Sequence, residues 1–288
     1  DWANAAPRLN AVSEALNLGL CEISHPLDYT TLASPLPRAY EFVDGSAYLP
    51  HVERVRRARG AEVPASFYQD PLMYQATSAG FLGPRDPVSV VSEEYGIDFE
   101  AEVVVVTDDV PMAVSAEQAA DHIQLVGLIN DVSLRNLIPG ELAKGFGFLQ
   151  SKPRSALSPV LVTPDELGDA WRDTVLHLPL RSWLNGERFG EPDAGVDMQF
   201  NFARLVAHAA GTRPLTAGTI VGSGTVANED EGKGASCLAE RRMLEIIAGG
   251  KPQTPFMSFG DSIRIEVLDG QGASIFGAIE QVIQPYEQ

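Results

Sequence analysis

The chain has 288 residues, 44% of them hydrophobic and 21% charged, a composition typical of a soluble globular protein with enough material for a sizeable core. Its 39 acidic and 21 basic residues give a formal net charge of -18, which argues against non-specific binding to nucleic acid or to an anionic membrane surface. The two cysteines, Cys21 and Cys237, form no Cys-x-x-Cys motif, so they predict neither a disulfide framework nor a zinc cluster.

The chain opens with a segment that differs in pattern from the rest. Apolar residues at helical spacing predict a helix from Pro7 to Gly19, and the proline-rich stretch 26–37 reads as an extended connector. We therefore predict a helical and connector segment at 1–36 and a main domain at 37–288. No apolar run is long enough to cross a bilayer and no signal-peptide pattern is present, so we expect a cytoplasmic protein. The first residue is not Met, and we expect further residues upstream.

A short strand at 39–43 is followed by a basic helix at 51–60, which carries four arginines and ends at a glycine. These arginines either pair with acids on a solvated face or form an anion-attracting lid over a carboxylate-bearing substrate. His51, at the start of the helix, is the histidine best placed to act as a base, although a lone histidine is more often structural.

The stretch 98–106 runs from acidic residues into four valines and predicts a strand. Because side chains on a strand alternate between its faces, Glu100 and Glu102 are expected on the same side. Unpaired carboxylates are disfavoured in a half-buried position, so a hard divalent cation or Lys and Arg partners should lie beside them. A third reading is an edge strand with two solvated acids.

The remaining elements indicate a mixed but β-dominated α+β domain. We predict a helix of about a dozen residues from Ser115, a buried strand at 126–133, and a loop-like region at 134–159 that contains Lys152. A strand at 176–184 leads into Asn185-Gly186, a strong hairpin signal. Further elements are a helix at 198–210 and strands at 160–162, 219–225, 242–247, 261–267 and 275–280.

Three acids lie on or beside apolar strands, namely Glu100, Glu102 and Asp131. Carboxylates presented on adjacent strands match the way in which Mg²⁺, Mn²⁺ or Ca²⁺ is usually bound. The sequence contains no Rossmann glycine motif, no P-loop, no Ser-centred nucleophile elbow and no His-Glu-x-x-His helix. A divalent-metal site therefore has no common rival among these motifs.

Four motifs in order resemble the fumarylacetoacetate hydrolase family over about residues 36–288. They are Gly-Ile-Asp-Phe-Glu-Ala-Glu at 96–102, Asn-Asp-Val-Ser-Leu-Arg-Asn at 130–136, Gln-Ser-Lys-Pro at 150–153 with Ser-Pro at 158–159, and Gly-Ser-Gly-Thr at 222–225. The resemblance, to a bacterial-type member, implies a fumarylacetoacetase-like catalytic domain with a mixed β-roll or sandwich.

The resemblance also implies a set of site residues. A divalent metal is expected on Glu100, Glu102 and Asp131, with Asp44 as the nearest match to a fourth ligand and Asp70 as a weaker one. The catalytic set is His51 as base, Glu245 orienting it, and Lys152; Glu53 or Glu240 could orient His51 instead. The substrate-binding set is Tyr48, Tyr74, Arg135 and Thr225. Asn136 and Ser155 depart from the residues common in relatives, which leaves the substrate open.

Such a site suits hydrolysis of a carbon–carbon bond in a 1,3-diketo acid, with fumarylacetoacetate, an intermediate of aromatic amino acid catabolism, as the first candidate. Alternatives within the family are an acylpyruvate hydrolase, a decarboxylase or isomerase, and a 2-keto-3-deoxy sugar acid dehydratase or hydrolase. A non-catalytic ligand-binding relative is an alternative of another class. The resemblance implies a homodimer, with a small-molecule substrate and no nucleic-acid or membrane partner.

Overall fold

A computed structural model of the protein describes residues 2–58, 60 and 62–287. Arg59, one of the four arginines of the predicted basic helix, lies outside the described residues. Contacts within the chain divide it into two compact units, of which the first ends at Leu32 and the second begins at Ala33. The boundary near residue 36 stays a prediction.

Six α-helices occur in the part of the chain that the structure describes: α1 (Trp2–Asn17), α2 (Leu49–Ala58), α3 (Ala116–Ala119), α4 (Ile138–Leu142), α5 (Phe202–Ala209) and α6 (Leu238–Gly249). In the first unit, α1 buries none of its side chains. In the second unit, α3 is much shorter than the predicted helix of about a dozen residues. Ser115 and Gln118 form a capping box at its start, and a single 3₁₀ turn follows it.

The described residues contain fifteen strands: β1 (Phe42–Gly45), β2 (Met73–Ala76), β3 (Val88–Val90), β4 (Ile97–Asp98), β5 (Ala101–Thr107), β6 (Ile123–Asn130), β7 (Ser133–Leu134), β8 (Ala156–Leu157), β9 (Trp171–Arg172), β10 (Val175–Leu176), β11 (Leu180–Leu184), β12 (Glu187–Gly190), β13 (Ile220–Gly222), β14 (Ser262–Val267) and β15 (Ile279–Pro285). They form a six-stranded sheet in the order β2-β1-β13-β5-β6-β8 and a five-stranded sheet in the order β12-β11-β14-β15-β3, with β9-β10 and β4-β7 as separate pairs. The prediction of a β-dominated α+β domain is confirmed.

Strand β5 is buried on both faces. Val103 and Val105 belong to the same apolar cluster as Ile265 of the five-stranded sheet, so the two sheets pack against each other. Val104 and Val106 point the other way into a second cluster. A strand buried on both sides reads as a continuous apolar run, which explains the four valines. Because β5 lies between β13 and β6, the edge-strand reading of the sequence is wrong.

Local patterns predicted some elements correctly and missed others. The Asn185-Gly186 hairpin is confirmed, since both residues have positive φ (52° and 81°) and β11 pairs antiparallel with β12. The strand predicted at 242–247 is wrong, because these residues lie within α6. The stretch 160–162 is not a strand, and β15 begins later than predicted. In the described residues, no helix is both long and apolar enough to cross a membrane.

Candidate active site

Three interior strands of the six-stranded sheet, β1, β5 and β6, bring three carboxylates together. Asp44 on β1 and Glu102 on β5 lie two residues from Phe42 and Val104, so they share the face of the second apolar cluster. Asp131 comes directly after β6, the next strand in the sheet. Each of the three carboxylates offers an oxygen within 4.8 Å of the other two.

Glu102 is the least compensated member of this cluster. It is 0% exposed, and neither of its oxygens accepts a hydrogen bond from the residues that the structure describes. Burial, together with the charges of Asp44 and Glu100, raises the pKa of Glu102 well above its ordinary value. Gly222 lies beside it on β13, where a Cβ atom would come within 2.2 Å of Oδ1 of Asp44. The Gly-Ser-Gly-Thr motif therefore begins with glycine because the carboxylates need that space.

Asp131 is held by three side-chain donors. Ser155 donates to its Oδ1 at 2.7 Å, while the Tyr74 hydroxyl and the Lys152 ammonium donate to its Oδ2, each at 2.6 Å. Lys152 also donates to Glu100 at 2.5 Å. Burial by itself lowers the pKa of Lys152, but the charges of Asp131 and Glu100 outweigh it and raise this pKa above its ordinary value. Lys152 is therefore a permanent cation in the cluster.

Glu100 and Glu102 have different surroundings although both were predicted on one strand face. Glu100 lies in the break between β4 and β5, so the predicted continuous strand 98–106 is interrupted there. Arg135 donates to its Oε1 at 2.7 Å, and Lys152 occupies its other oxygen. Burial tends to raise the pKa of Glu100, but these two cations hold it well below its ordinary value. Among the described residues, Glu100 has two basic partners and Glu102 has no hydrogen-bonded one. The role of Glu100 as a metal ligand stays a prediction.

Asp98 connects this site to helix α6. Its carboxylate accepts from the amides of Leu238 (2.7 Å) and Ala239 (2.9 Å), the first residues of α6, and from Nε of Arg135 (2.8 Å). The first amides of a helix have no partner within the helix, so a buried carboxylate there both caps it and favours its dipole. Asp98 therefore fixes where α6 begins relative to the carboxylate cluster.

Helix α6 places Glu240, not Glu245, against His51. Nδ1 of His51 lies 2.9 Å from Oε2 of Glu240, which is completely buried. Glu245 lies farther along α6 and accepts from the amides of Gln253 and Thr254 and from the Thr254 hydroxyl. The assignment of Glu245 as the residue that orients His51 is corrected, because its carboxylate closes the turn after α6. Glu240 was one of the two alternatives left open by the sequence.

The remaining predicted residues are divided between the cluster and other places. Asp44 accepts from the amide of Gly224 at 3.1 Å within the cluster, whereas Asp70 is exposed and pairs with His208. Glu53 is not the residue that orients His51 either, because its carboxylate accepts from the Tyr68 hydroxyl. For the predicted residues that the structure does bring together, the roles as metal ligands or catalytic groups stay predictions.

The carboxylate cluster opens into a cavity of about 650 Å³. Its inner end is lined by predicted site residues: Asp44, Tyr48, His51, Tyr74, Glu100, Glu102, Arg135, Lys152 and Thr225. Tyr48 contributes its ring, since its hydroxyl already donates to the carbonyl of Ala194. The outer wall is largely apolar and includes Val55, Phe67, Leu72, Phe148, Met243 and Phe256. Of the arginines on α2, Arg56 lines this cavity, Arg54 is buried and Arg57 is exposed.

The donor set of Asp44, Glu102 and Asp131 fits a hard divalent cation. All three groups are buried carboxylates, and oxygen ligands of this kind suit Mg²⁺, Mn²⁺ or Ca²⁺. Burial and the nearby Asp131 also raise the pKa of Asp44 from 3.8 to about 8, as expected for acids that share a site without enough positive charge. The unpartnered oxygens of Glu102 are the ones that a cation would satisfy.

Sequence reasoning missed three residues that support this site, namely Asp98, Arg54 and Ser155 as a donor to Asp131. Asp98 was signalled by its place within the first quoted motif. Arg54 was signalled by its position three residues after His51, which places His51 and Arg54 on one side of a helix. The partner of each residue, however, lies far away in the sequence, at 238–240 for Asp98 and Arg54.

Comparisons with known proteins address the family and the fold of the chain. Residues 41–284 match the family model described as the fumarylacetoacetate (FAA) hydrolase C-terminal domain. A curated relative, the 2,4-didehydro-3-deoxy-L-rhamnonate hydrolase of Sphingomonas sp. (strain SKA58), is 27% identical over 201 residues, which is 69% of this chain and 61% of the relative. The chain therefore spans less than two thirds of the length of this relative.

Solved structures share the fold at lower identity. The 5-carboxymethyl-2-hydroxymuconate delta-isomerase from Mycobacterium smegmatis matches with a TM-score of 0.60 at 19% identity, covering 89% of this chain and 83% of that one. The 2-hydroxyhepta-2,4-diene-1,7-dioate isomerase from Mycobacterium marinum matches with a TM-score of 0.59 at 19% identity, covering 89% and 78%. At this identity the likeness establishes the architecture and nothing about the reaction.

Proposed function

The chain belongs to the fumarylacetoacetate hydrolase family, and from this premise we propose that it is a metal-dependent hydrolase that cleaves a carbon–carbon bond of a 1,3-diketo acid. The first candidate substrate is fumarylacetoacetate, which would give fumarate and acetoacetate; an acylpyruvate is the nearest analogue. One observation carries the proposal: Asp44 and Glu102 of the carboxylate cluster, His51 with its partner Glu240 behind it, and the buried Lys152 meet at one cavity.

The side chains around the cavity suit each step of the proposed hydrolysis. A bound divalent cation on Asp44, Glu102 and Asp131 would polarise a carbonyl group of the diketo acid. His51, held at Nδ1 by Glu240, accepts a proton from water at its other ring nitrogen. The hydroxide adds to the carbonyl carbon, and the bond from that carbon to the neighbouring methylene breaks. The methylene carbon leaves as an enolate and takes the proton from His51, so that two acids are released.

Lys152 and Arg135 act as cations in this scheme. The raised pKa of Lys152 keeps it protonated, so it donates hydrogen bonds to the enolate oxygen and does not serve as a base. Arg135 lines the same cavity and presents a fixed guanidinium to a substrate carboxylate. Thr225 at the cavity wall is the further candidate for a substrate contact.

The outer wall of the cavity favours a carbon-rich acyl tail. Phe67, Phe148 and Phe256 line it together with aliphatic side chains. Arg56 and Arg242 lie over Phe67 and Phe256, with 4.6 Å and 4.2 Å between guanidinium carbon and ring centroid. Apart from these two guanidinium groups, the aromatic and aliphatic side chains of this wall gain little from the hydroxyl groups of a sugar acid. This supports an unsaturated or aliphatic diketo acid over the sugar acid named for the relative from Sphingomonas.

The second candidate is an isomerase, decarboxylase or sugar acid dehydratase, since each of these reactions also forms an enolate that the same cations stabilise. The observation in its favour is that Lys152 and Arg135 line the cavity beside the carboxylates, a placement that suits an enolate whichever bond is broken. Product analysis separates the candidates. Hydrolysis releases two acids in equal amounts, decarboxylation releases carbon dioxide, and isomerisation or dehydration leaves the carbon skeleton intact.

The experiment incubates the protein and Mg²⁺ or Mn²⁺ with fumarylacetoacetate or a synthetic acylpyruvate, and identifies the products by proton NMR. We expect two acids in a 1:1 ratio, no reaction after EDTA treatment, and strongly reduced rates for Glu102→Ala and His51→Ala. Glu187→Ala, an exposed residue on β12, is the control for the substitutions. A single product with an unbroken carbon skeleton would overturn the hydrolase proposal. The homodimer and the cytoplasmic location stay predictions.

A further inference from the structure

Arg54 is a buried arginine for which the proposed chemistry has no direct use. It lies on α2 three residues after His51 and is 8% exposed. Its Nη1 donates to Oε1 of Glu240 at 2.5 Å, and its Nη2 donates to the carbonyls of Asn228 at 2.6 Å and Glu229 at 3.1 Å. A guanidinium with so many partners in the interior is held in one orientation.

The two oxygens of Glu240 are divided between two residues of the same helix. Oε1 accepts from Arg54, and Oε2 lies against Nδ1 of His51. Residues three apart on a helix are neighbours, so α2 presents both partners to one carboxylate. Glu240 cannot rotate toward a different partner without losing its contact with Arg54.

The Arg54 contact also determines what His51 can do. The carboxylate of Glu240 already accepts from the Arg54 guanidinium at Oε1, and it presents Oε2 to His51 as an acceptor. Nδ1 of His51 must then carry the proton, which leaves the other ring nitrogen unprotonated. Without Arg54, the carboxylate of Glu240 would be free to reorient, and the imidazole would no longer be restricted to one tautomer.

The remaining contacts of Arg54 link this arrangement to the acidic loop at 228–234. Asn228 is itself fixed, because its side chain donates to the carbonyls of Asp193 and Val196 and accepts from the amide of Asp193. The amide of Glu229 donates to Asp197. Arg54 is thus held by backbone carbonyls whose own positions are restrained.

We propose that Arg54 is a positioning residue that holds the carboxylate of Glu240 in one orientation, and through it restricts His51 to the tautomer with the proton on Nδ1. This inference rests on the proposed function only where it takes His51 as the catalytic base. The tautomer itself is a property of the resting protein and is measurable without any substrate.

The test compares Arg54→Gln and Arg54→Lys with Arg57→Gln, an exposed arginine on the same helix. The tautomer of His51 is read from the nitrogen-15 resonances of its ring, which the His51→Gln spectrum assigns among the five histidines. Circular dichroism and thermal unfolding report whether each variant is folded. Steady-state kinetics with the diketo acid give kcat and KM separately.

We expect the wild type and Arg57→Gln to show one tautomer, and folded Arg54→Gln to show a tautomer mixture with kcat reduced about tenfold or more and KM within about twofold. Arg54→Lys keeps the positive charge but loses the planar guanidinium with its two donating nitrogens. Its tautomer mixture and its kcat should lie between those of the wild type and Arg54→Gln. If Arg54→Gln does not fold, Arg54→Lys decides by the same readings. Folded Arg54 variants with the wild-type His51 spectrum and kcat would overturn the proposal. A changed His51 spectrum in a protein that cleaves no diketo acid would instead contradict the proposed function alone.

Discussion

The ammonium nitrogen of Lys152 lies 2.6 Å from Oδ2 of Asp131 in the interior of the protein. Both side chains are at most 5% exposed. Glu100 shares the same ammonium group at 2.5 Å. A single buried lysine thus compensates two carboxylates, while Glu102 beside them has no such partner among the described residues. Lys152 is the cation that these two carboxylates share, and Arg135 is a second cation at Glu100.

We predict that Lys152→Met lowers the free energy of unfolding of the EDTA-treated protein by about 3–5 kcal/mol, because it leaves buried carboxylates uncompensated. Urea unfolding followed by circular dichroism measures it. Mn²⁺ should recover more stability in the variant than in the wild type, since a competing positive charge has been removed. Lys144→Met, at an exposed position, is the control; an equal loss in the two variants would contradict this account of Lys152.

Glu240→Gln and Glu245→Gln form a matched pair on α6. We expect Glu240→Gln to reduce kcat at least about tenfold, because His51 loses the carboxylate that orients it. Glu245→Gln should keep the wild-type kcat and lose about 1 kcal/mol of stability, because it weakens the contacts to Gln253 and Thr254. Steady-state kinetics and thermal unfolding check both, and the reverse pattern would restore Glu245 as the orienting residue.

Asp44 should make the EDTA-treated protein less stable as the pH rises. Burial, with the nearby Asp131, raises its pKa from 3.8 to about 8 in the folded state. A carboxyl group that binds its proton more tightly when folded stabilises the folded state fully below its unfolded pKa, and loses this contribution as the pH rises through its folded pKa. Between pH 4 and 8 we expect the wild type to lose at least about 1.4 kcal/mol, one pKa unit, relative to Asp44→Asn. A constant difference between the two proteins across this range would contradict the raised pKa.

Asp98→Ala should destabilise the start of α6. It removes the acceptor of the Leu238 and Ala239 amides and the partner of Nε of the half-buried Arg135. Hydrogen bonds to a charged group contribute about 1.5–3 kcal/mol each, so we expect a loss of about 3 kcal/mol or more in urea unfolding. Asp98→Asn keeps one acceptor oxygen and should lose less. Equal stability of Asp98→Ala and the wild type would show that α6 does not need this cap.

The sequence predicted those parts of the fold that depend on local pattern. Four consecutive valines indicated β5. Asn185-Gly186 indicated the hairpin between β11 and β12, because few residues tolerate positive φ. The pattern at 242–247 satisfies both strand and helix periods over so short a stretch. The helix that contains it is capped by Asp98, which lies 140 residues from Leu238 and so cannot be found from the local pattern.

The site was predictable to the same extent. Ordered motifs brought out Glu100, Glu102, Asp131, Lys152 and His51, and the structure brings all five to one cavity or its floor. The choice between Glu240 and Glu245 was not predictable, because it depends on where α6 begins and how it faces α2. The different surroundings of Glu100 and Glu102 likewise follow from the break before β5, which a continuous alternating pattern conceals.

The most direct test of the central claim is the binding of Mn²⁺ to the EDTA-treated protein by isothermal titration calorimetry, in the wild type and in Glu102→Gln. The unpartnered carboxylate of Glu102 makes it the residue whose charge matters most for a cation. We predict one site per chain in the wild type and at least about tenfold weaker binding in Glu102→Gln, with wild-type binding in the exposed control Glu187→Gln. Equal affinity in all three proteins would contradict a metal site at Asp44, Glu102 and Asp131.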